Sequence, residues 1–293
     1  MKKYSIFDAH CDTLSAITDF GGDIIRNGYN LDKSRMEKYK SYTQVFACFI
    51  SPEHRAEAWK RFFELKSCFD SQCFKNITPI MSVESADMVK SVDDIKKLKE
   101  YGVKILSLTW NYSNHLAGGA DEPESGLTPL GKEVVKAIYK NNILLDVSHL
   151  NDRSFYEVAE VYNGPLCATH SNSRYICNHH RNLTDEMFKM ICKSGGCVGI
   201  NLYPPFLSEK EKCSSEEVIK HIEHFMLLGG ENHIGIGADF DGTENLLPED
   251  IQGCEELYRI FDLLIQKGYS NEQVEKISHK NFERIFKKGN DYA

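Results

Sequence analysis

No stretch of this sequence reaches the roughly 18 consecutive apolar residues that a membrane-spanning helix requires, so no such segment is expected. Positive charge is not in excess either. Lys and Arg number 35 against 43 Asp and Glu, a formal charge of −8, and no long basic run offers phosphates a track. Nucleic acid is therefore not an expected partner. The N-terminus, MKKYSIFDAHCDTL, lacks the continuous apolar region of a secretory signal, because Asp8, His10 and Asp12 interrupt it. Close cysteine pairs are missing as well: the ten cysteines, from Cys11 to Cys254, contain no C-x-x-C spacing. That distribution favours free thiols in a reducing, cytoplasmic setting over a disulfide framework or a zinc ribbon.

Internal repeats, low-complexity tracts and Pro/Gly/Ser-rich linkers are also absent, so the expectation is one domain over residues 1–293. The 16 Phe and 14 Tyr within a 41% hydrophobic composition supply an ordinary globular core. What is present is a rhythm. Short apolar runs occur at Tyr4 to Phe7, Gln44 to Ile50, Pro79 to Val83, Val103 to Leu108, Ile143 to Leu145, Pro165 to Ala168, Cys197 to Leu202 and Ile234 to Gly237. They read as strands buried on both faces. Helical spacing lies between them, for example at Ala56 to Phe69, Lys132 to Tyr139, Arg153 to Tyr162, Asp185 to Lys193, Ser215 to Leu228 and Glu255 to Lys267. Asn151, Thr184 and Ser214 or Ser215 offer caps at helix starts, and Gly195, Gly229 and Gly268 mark helix ends. Eight strands alternating with helices predict a closed (β/α)8 TIM-type barrel of the α/β class. The alternative, an open doubly wound sheet, would carry a glycine-rich loop after its first strand, where this sequence has His10-Cys11-Asp12.

In such a barrel the chemistry gathers at the carboxyl ends of the strands. His10 and Asp12 follow the first strand, two residues apart and so on one side of an extended backbone. A His-x-Asp pair by itself is as well explained by a hydrogen-bonded strand end. Glu84 (MSVE), His149 (DVSH), His170 (ATHS) and Asp239 (GADFDG) occupy corresponding positions on the third, fifth, sixth and eighth strands. Carboxylates gathered on one rim without a cation would repel and desolvate one another. The set therefore predicts a metal centre of zinc or another borderline divalent ion, with manganese, iron and cobalt open, and argues against a closed structural site. Two ions sharing a carboxylate would bring the pKa of a shared water near 7.

These residues sit in motifs that resemble the membrane dipeptidase (renal dipeptidase) family of zinc peptidases, within the amidohydrolase-like barrels. The motifs are FDAHCDTL, SVE, SLTWNYSNHL, GLTPLGKEVV, LLDVSHLND, ATHSNSR, HRNLTDEM, GINLY and HIGIGADFDGT, in the family's order from about Asp8 to Phe286. The resemblance implies a binuclear zinc centre that cleaves free dipeptides, commonly with a D-residue at the C-terminal position. His10 and Asp12 would bind one zinc, His149 and His170 the second, and Glu84 would bridge them. Arg181 would bind the substrate carboxylate. Asp239 would meet the amino group and move a proton to the leaving nitrogen, and Tyr203 would fall in the pocket. Family members often form dimers, which keeps a homodimer open.

One position departs from the pattern. Trp110, in LTW, stands where better-known members carry a histidine that steadies the oxyanion. Its own indole, Asn111, Asn114 or His115 are the candidates to compensate, and an altered substrate preference is the expectation. Two other readings remain: a hydrolase of a different small amide, for which Arg181 has less purpose, and a low-activity binding homologue. His179 and His180 read as loop histidines, His221, His224 and His279 as helix residues, and Cys11 as a packed thiol. Asp146 reads as a structural or ligand-orienting acid and Asp241 as a turn or supporting residue.

Overall fold

The structure, a computed structural model, describes residues 3–210 and 212–289. Eight parallel strands close into a barrel in sequence order: β1 (Ser5–Asp8), β2 (Ser41–Phe49), β3 (Thr78–Glu84), β4 (Ile105–Ser107), β5 (Leu144–Asp146), β6 (Cys167–Ala168), β7 (Cys197–Ile200) and β8 (Ile234–Ile236). The ring is completed where Asp8 of β1 pairs with Ile236 of β8. The expected (β/α)8 barrel is therefore the observed fold.

Each strand divides its side chains between two cores, as the period of two dictates. Phe7, Val45, Ile105, Leu144, Cys167 and Cys197 point into the barrel, while Ile6, Phe46, Leu106, Leu145, Ala168 and Val198 face the surrounding helices. Both sets are buried, which is why the strands read as continuous apolar runs. The floor of the barrel is filled from outside the sheet. The closing helical segment runs through Asn271–Glu275, a π turn at Lys276–Lys280, and Asn281–Gly289, and it inserts Phe282 and Ile285 into the inner core. Phe282 stacks on Phe7 with ring centroids 5.3 Å apart. A Cβ on Gly235 would collide with the Phe282 ring, so β8 must be bare at that point.

Helix starts use the chemistry expected of them. Asn151 and Thr184 accept from the backbone N–H groups of Ser154 and Met187, and Ser214 forms a capping box with Glu217. Gly195, Gly229 and Gly268 adopt the left-handed backbone that ends helices, with φ of 79°, 89° and 94°. Boundaries differ in instructive places. The helix expected from Ala56 begins at Ala58, because Pro52–Glu57 first winds as a 3-10 turn. The one expected from Glu255 begins at Tyr258 for the same reason. A helix at Thr13–Phe20, directly behind Asp12, has no counterpart among the segments picked from the sequence. Several strands stop short of the candidate site residues: β5 ends at Asp146, β6 at Ala168 and β8 at Ile236. His149 and Asp239 have φ of 69° and 62°, a conformation that no strand can continue. Among the described residues no helix is long and apolar enough to cross a membrane.

Candidate active site

The carboxyl ends of the strands surround a cleft of about 430 Å³. Asp12, Phe49, Glu84, Trp110, Asn111, His149, Arg181, Tyr203 and Asp239 all line it. A larger cavity, about 530 Å³, opens at the opposite end of the barrel against Ile80, Met81, Leu144 and Phe286, and holds none of the strand-end groups.

Glu84, buried at the end of β3, is the centre of the arrangement. Its Oε2 lies 3.4 Å from His10 Nε2, which is itself 3.5 Å from Asp12 Oδ2. Its Oε1 lies 2.6 Å from His149 Nε2 and 3.8 Å from His170 Nε2. The two carboxylate oxygens thus face two different sets, His10 with Asp12 and His149 with His170. Each set could hold an ion, and Glu84 belongs to both.

The donor chemistry fits cations. His149 Nδ1 donates to Asn111 Oδ1 at 2.7 Å, leaving Nε2 as a lone pair. His170 Nδ1 donates to Thr169 Oγ1 at 2.8 Å, and Thr169 in turn donates to Asp146 Oδ2 at 2.5 Å, so His170 Nε2 is also a lone pair. These two Nε2 atoms stand 2.7 Å apart. Buried His10 Nε2 and Asp12 Oδ1 find no hydrogen-bond partner among the described residues. Buried polar atoms without partners are rare in folded proteins, and these two belong to one His10–Asp12–Glu84 group.

Electrostatics follow from burial and crowding. Burial, with the nearby Arg181, lowers the His149 pKa to about 4 and keeps the ring neutral. Burial, then His10 and His149, holds His170 well below the ordinary range. Burial raises Asp12 to about 6, with Glu84 adding to the effect. Asp239 is raised to about 7 by burial and by the charges of Asp12 and Glu84, against the pull of His10 and Asn201.

The backbone of the loop after β8 is pressed against these acids. A Cβ on Gly242 would collide with Asp12 Oδ2 and Asp239 Oδ1. Asp239 Oδ2 accepts from Asn201 Nδ2 at 2.9 Å, while Oδ1 lies 3.7 Å from His10 Nε2. Arg181 is 5% exposed, its guanidinium 5.4 Å above the Phe206 ring and its Nη2 3.1 Å from His149 Nε2. It makes no ion pair with a carboxylate among the described residues, and its Nε is unpartnered there. A buried guanidinium without a carboxylate partner can receive an anion.

Trp110 lies in the cleft wall between Phe49 and Tyr112, both with ring centroids 5.6 Å away, and 6.0 Å from the His149 ring. Tyr203 lines the same cleft edge-on to Phe206. Of the groups named to compensate for Trp110, Asn114 and His115 are excluded. Asn114 is held by Leu108 O and by the N–H of Leu116, and His115 lies against Val89 O, away from the cleft. Asn111 is in place, with its carbonyl oxygen engaged by His149.

The remaining polar residues have structural partners. His179 accepts from the Arg181 N–H, and His180 pairs with Asp121 at 2.7 Å; neither lines the cleft. Buried His221 accepts from Ser173 N–H and donates to Leu207 O, His224 pairs with Asp185, and His279 meets Ser278. Asp241 accepts from the Thr13 hydroxyl and the Asn30 N–H at the cleft edge. Cys11 is buried in the apolar core. Asp146 reaches His170 through Thr169, which sequence reading did not single out, and Asn201 was missed likewise. The only local signals were their places beside His170 in ATHS and at the end of β7 in GINLY.

The sequence profile of the membrane dipeptidase family (peptidase family M19) matches residues 64–293. An uncharacterized Klebsiella pneumoniae protein, from the pqqA 5′ region, is 31% identical over 66% of this chain and 75% of its own length. An uncharacterized dipeptidase of Schizosaccharomyces pombe is 25% identical over 89% of this chain, which spans only 66% of the yeast protein. Among solved structures, a metallopeptidase of family M19, dipeptidase AC, superposes with a TM-score of 0.89 at 25% identity, covering 98% of both chains. A Rhodobacter sphaeroides metallopeptidase bound to a phosphinate mimic of L-Ala-D-Ala has the same fold, with a TM-score of 0.85 at 24% identity over 97% of this chain and 99% of its own.

Proposed function

The chain belongs to the membrane dipeptidase family, peptidase family M19, and from that premise we propose that it is a binuclear zinc dipeptidase acting on free dipeptides, including those with a C-terminal D-residue. The observation that carries this reading is Glu84, whose two oxygens face separate sets of buried His and Asp atoms within one cleft that also holds a buried Arg181 with no carboxylate partner among the described residues. His10 and Asp12 would hold one ion, His149 and His170 the other, and Glu84 would serve both. When bound, such ions polarise a carbonyl oxygen and make water acidic enough to attack near neutral pH.

The chain's own residues supply the rest. Arg181 offers a planar fork to the substrate's terminal carboxylate, and Phe206 beneath it excludes water from one face. Asp239 receives the substrate's ammonium and carries a proton to the leaving nitrogen. Asn201 fixes one of its oxygens and leaves the other turned toward the cleft. Because both charged ends are read, a longer peptide or a blocked dipeptide loses one of the two anchors. Trp110 supplies an aromatic wall where the family resemblance places a histidine, and a shifted substrate preference is expected. The D-residue arm is motivated by the L-Ala-D-Ala mimic bound to the Rhodobacter sphaeroides relative. The same reading treats residues 1–293 as one catalytic domain.

Elemental analysis combined with a substrate panel tests this. The panel contains free L,L and L,D dipeptides, their amidated and acetylated forms, and ring amides, assayed before and after chelation and zinc add-back. We expect about two metal ions per chain and chelator-sensitive cleavage of the free dipeptides alone. Metal without dipeptide cleavage would transfer the assignment to another amide, and a metal-free active protein would remove the ligand assignments.

A further inference from the structure

Charge is distributed unevenly around the cleft. Arg181 lies on the wall after β6, whereas Asp239, Asp241 and Glu244 all come from the loop after β8. Two of those three acids have hydrogen-bonding duties: Asp239 accepts from Asn201, and Asp241 from Thr13 and Asn30. Glu244 has none. It lines the cleft, its residue is exposed, and it forms neither a hydrogen bond nor an ion pair among the described residues. Its place is set by the backbone: φ is 53° at Glu244 and 62° at Asn245, within a turn closed by the Leu246 N–H donating to Thr243 O at 2.7 Å. Two non-glycine residues in the left-handed region are held there by that turn and fix the direction of the loop at the cleft mouth.

We propose that Glu244 is a specificity-determining residue that favours dipeptides whose N-terminal residue carries a cationic side chain, lysine or arginine. This rests on the dipeptidase reading above, which sets the substrate's ammonium beside Asp239. The first side chain then departs from the corner that Asp239 shares with Tyr203 and Glu244. All three residues line the one cleft, where burial raises the Tyr203 phenol pKa and the charges of Glu244 and Asp239 add to the effect. A lysine or arginine stem can lie along the Tyr203 ring while its charged head stays in water at the exposed carboxylate. Exposure also limits the size of the preference. An ion pair in water is worth a factor of about 1.5 to 5 and weakens as salt is added.

The test compares kcat/KM for Lys-Ala with that for norleucine-Ala, which has the same chain length and no charge, using the zinc-loaded enzyme. In Glu244→Gln the Lys/norleucine ratio is expected to fall by about 2- to 5-fold, and in Glu244→Lys further still. Raising salt should lower the ratio in the parent enzyme and leave it flat in Glu244→Gln. A ratio that neither substitution moves overturns this inference while leaving the dipeptidase reading intact. Failure of the parent enzyme to cleave norleucine-Ala or any other free dipeptide overturns both, so the two failures are told apart.

Discussion

The Nε2 atoms of His149 and His170 face each other at 2.7 Å with no proton to share, because each ring already donates through Nδ1, to Asn111 and to Thr169. With Glu84 Oε1 directed at the same point, three acceptors crowd a buried setting, relieved on the His149 side by Arg181 Nη2 at 3.1 Å, and a cation among them would convert the remaining repulsion into attraction.

Thermal stability should therefore depend on metal. A ligand at about 100 times its dissociation constant adds roughly 2.7 kcal/mol per site, or several degrees in Tm for a protein of this size. Calorimetry with and without chelator should show the loss and its reversal by zinc. Glu84→Ala, lacking the shared carboxylate, should show little metal-dependent shift.

Thr169→Val keeps the shape of the side chain and removes the hydroxyl that joins Asp146 to His170. Affinity at the His149–His170 site should fall about 10- to 100-fold, the usual consequence of losing a group that orients a ligand. Competition against a fluorescent zinc chelator measures this directly, and two unchanged affinities would refute the orienting role.

Asp239→Asn should reduce kcat by about 10²- to 10⁴-fold with metal content retained, as expected for loss of a proton-transfer group. Asn201→Ala leaves the acid in place without its amide partner and should give a smaller loss of kcat. Because Asp239 also stands within reach of His10 and His170 as a third ion-holding set, loss of metal from Asp239→Asn would reassign it as a ligand.

Trp110→His restores an imidazole to the wall beside His149. If the ions and Asn111 have replaced the missing donor, kcat/KM on small dipeptides should change by less than about tenfold. A rise of the 10²- to 10³-fold typical of an oxyanion donor would show that nothing had replaced it.

His221 gives a pH dependence of stability that is separate from the metal site. Burial lowers its pKa to about 4 from the ordinary 6.5, and the neutral ring accepts from Ser173 N–H while donating to Leu207 O. Between those values the unfolded chain binds the extra proton, so the contribution is complete above about pH 6.5 and is lost as pH falls toward 4. Denaturant titrations across that window should show a shallower acid slope in His221→Gln than in the parent.

The barrel was legible because burial on both faces leaves an unmistakable apolar run at each strand, and the strand-end cluster was legible because His, Asp and Glu interrupt those runs at one end. The supporting residues were not. Thr169 and Asn201 are ordinary polar residues in sequence, and only the closed ring brings Asp146 against Thr169 and Asn201 against Asp239, while Asn111, singled out beside Trp110, is found against His149 instead. Asn114 and His115 misled for the same reason, since nearness in sequence to Trp110 does not survive the turn that draws Asn114 back to Leu108. The left-handed backbone at His149 and Asp239, which no strand can continue, also has no signature in side-chain type, so the earlier strand ends could not be read from the sequence.

Phe282 and Ile285 fill the barrel from below, and Asp8 finds its second neighbour only at Ile236. During synthesis the first strand made is thus the last to be sealed. While the ribosome works through more than two hundred intervening positions, Phe7 has neither the ring that will stack on it nor a closed wall beside it. The inner core around Phe7 cannot be completed until Phe282 and Ile285 are available, the kind of delay that favours contacts with other chains. Dependence on folding helpers in the cell would arise from this order of emergence rather than from any weakness of the finished molecule.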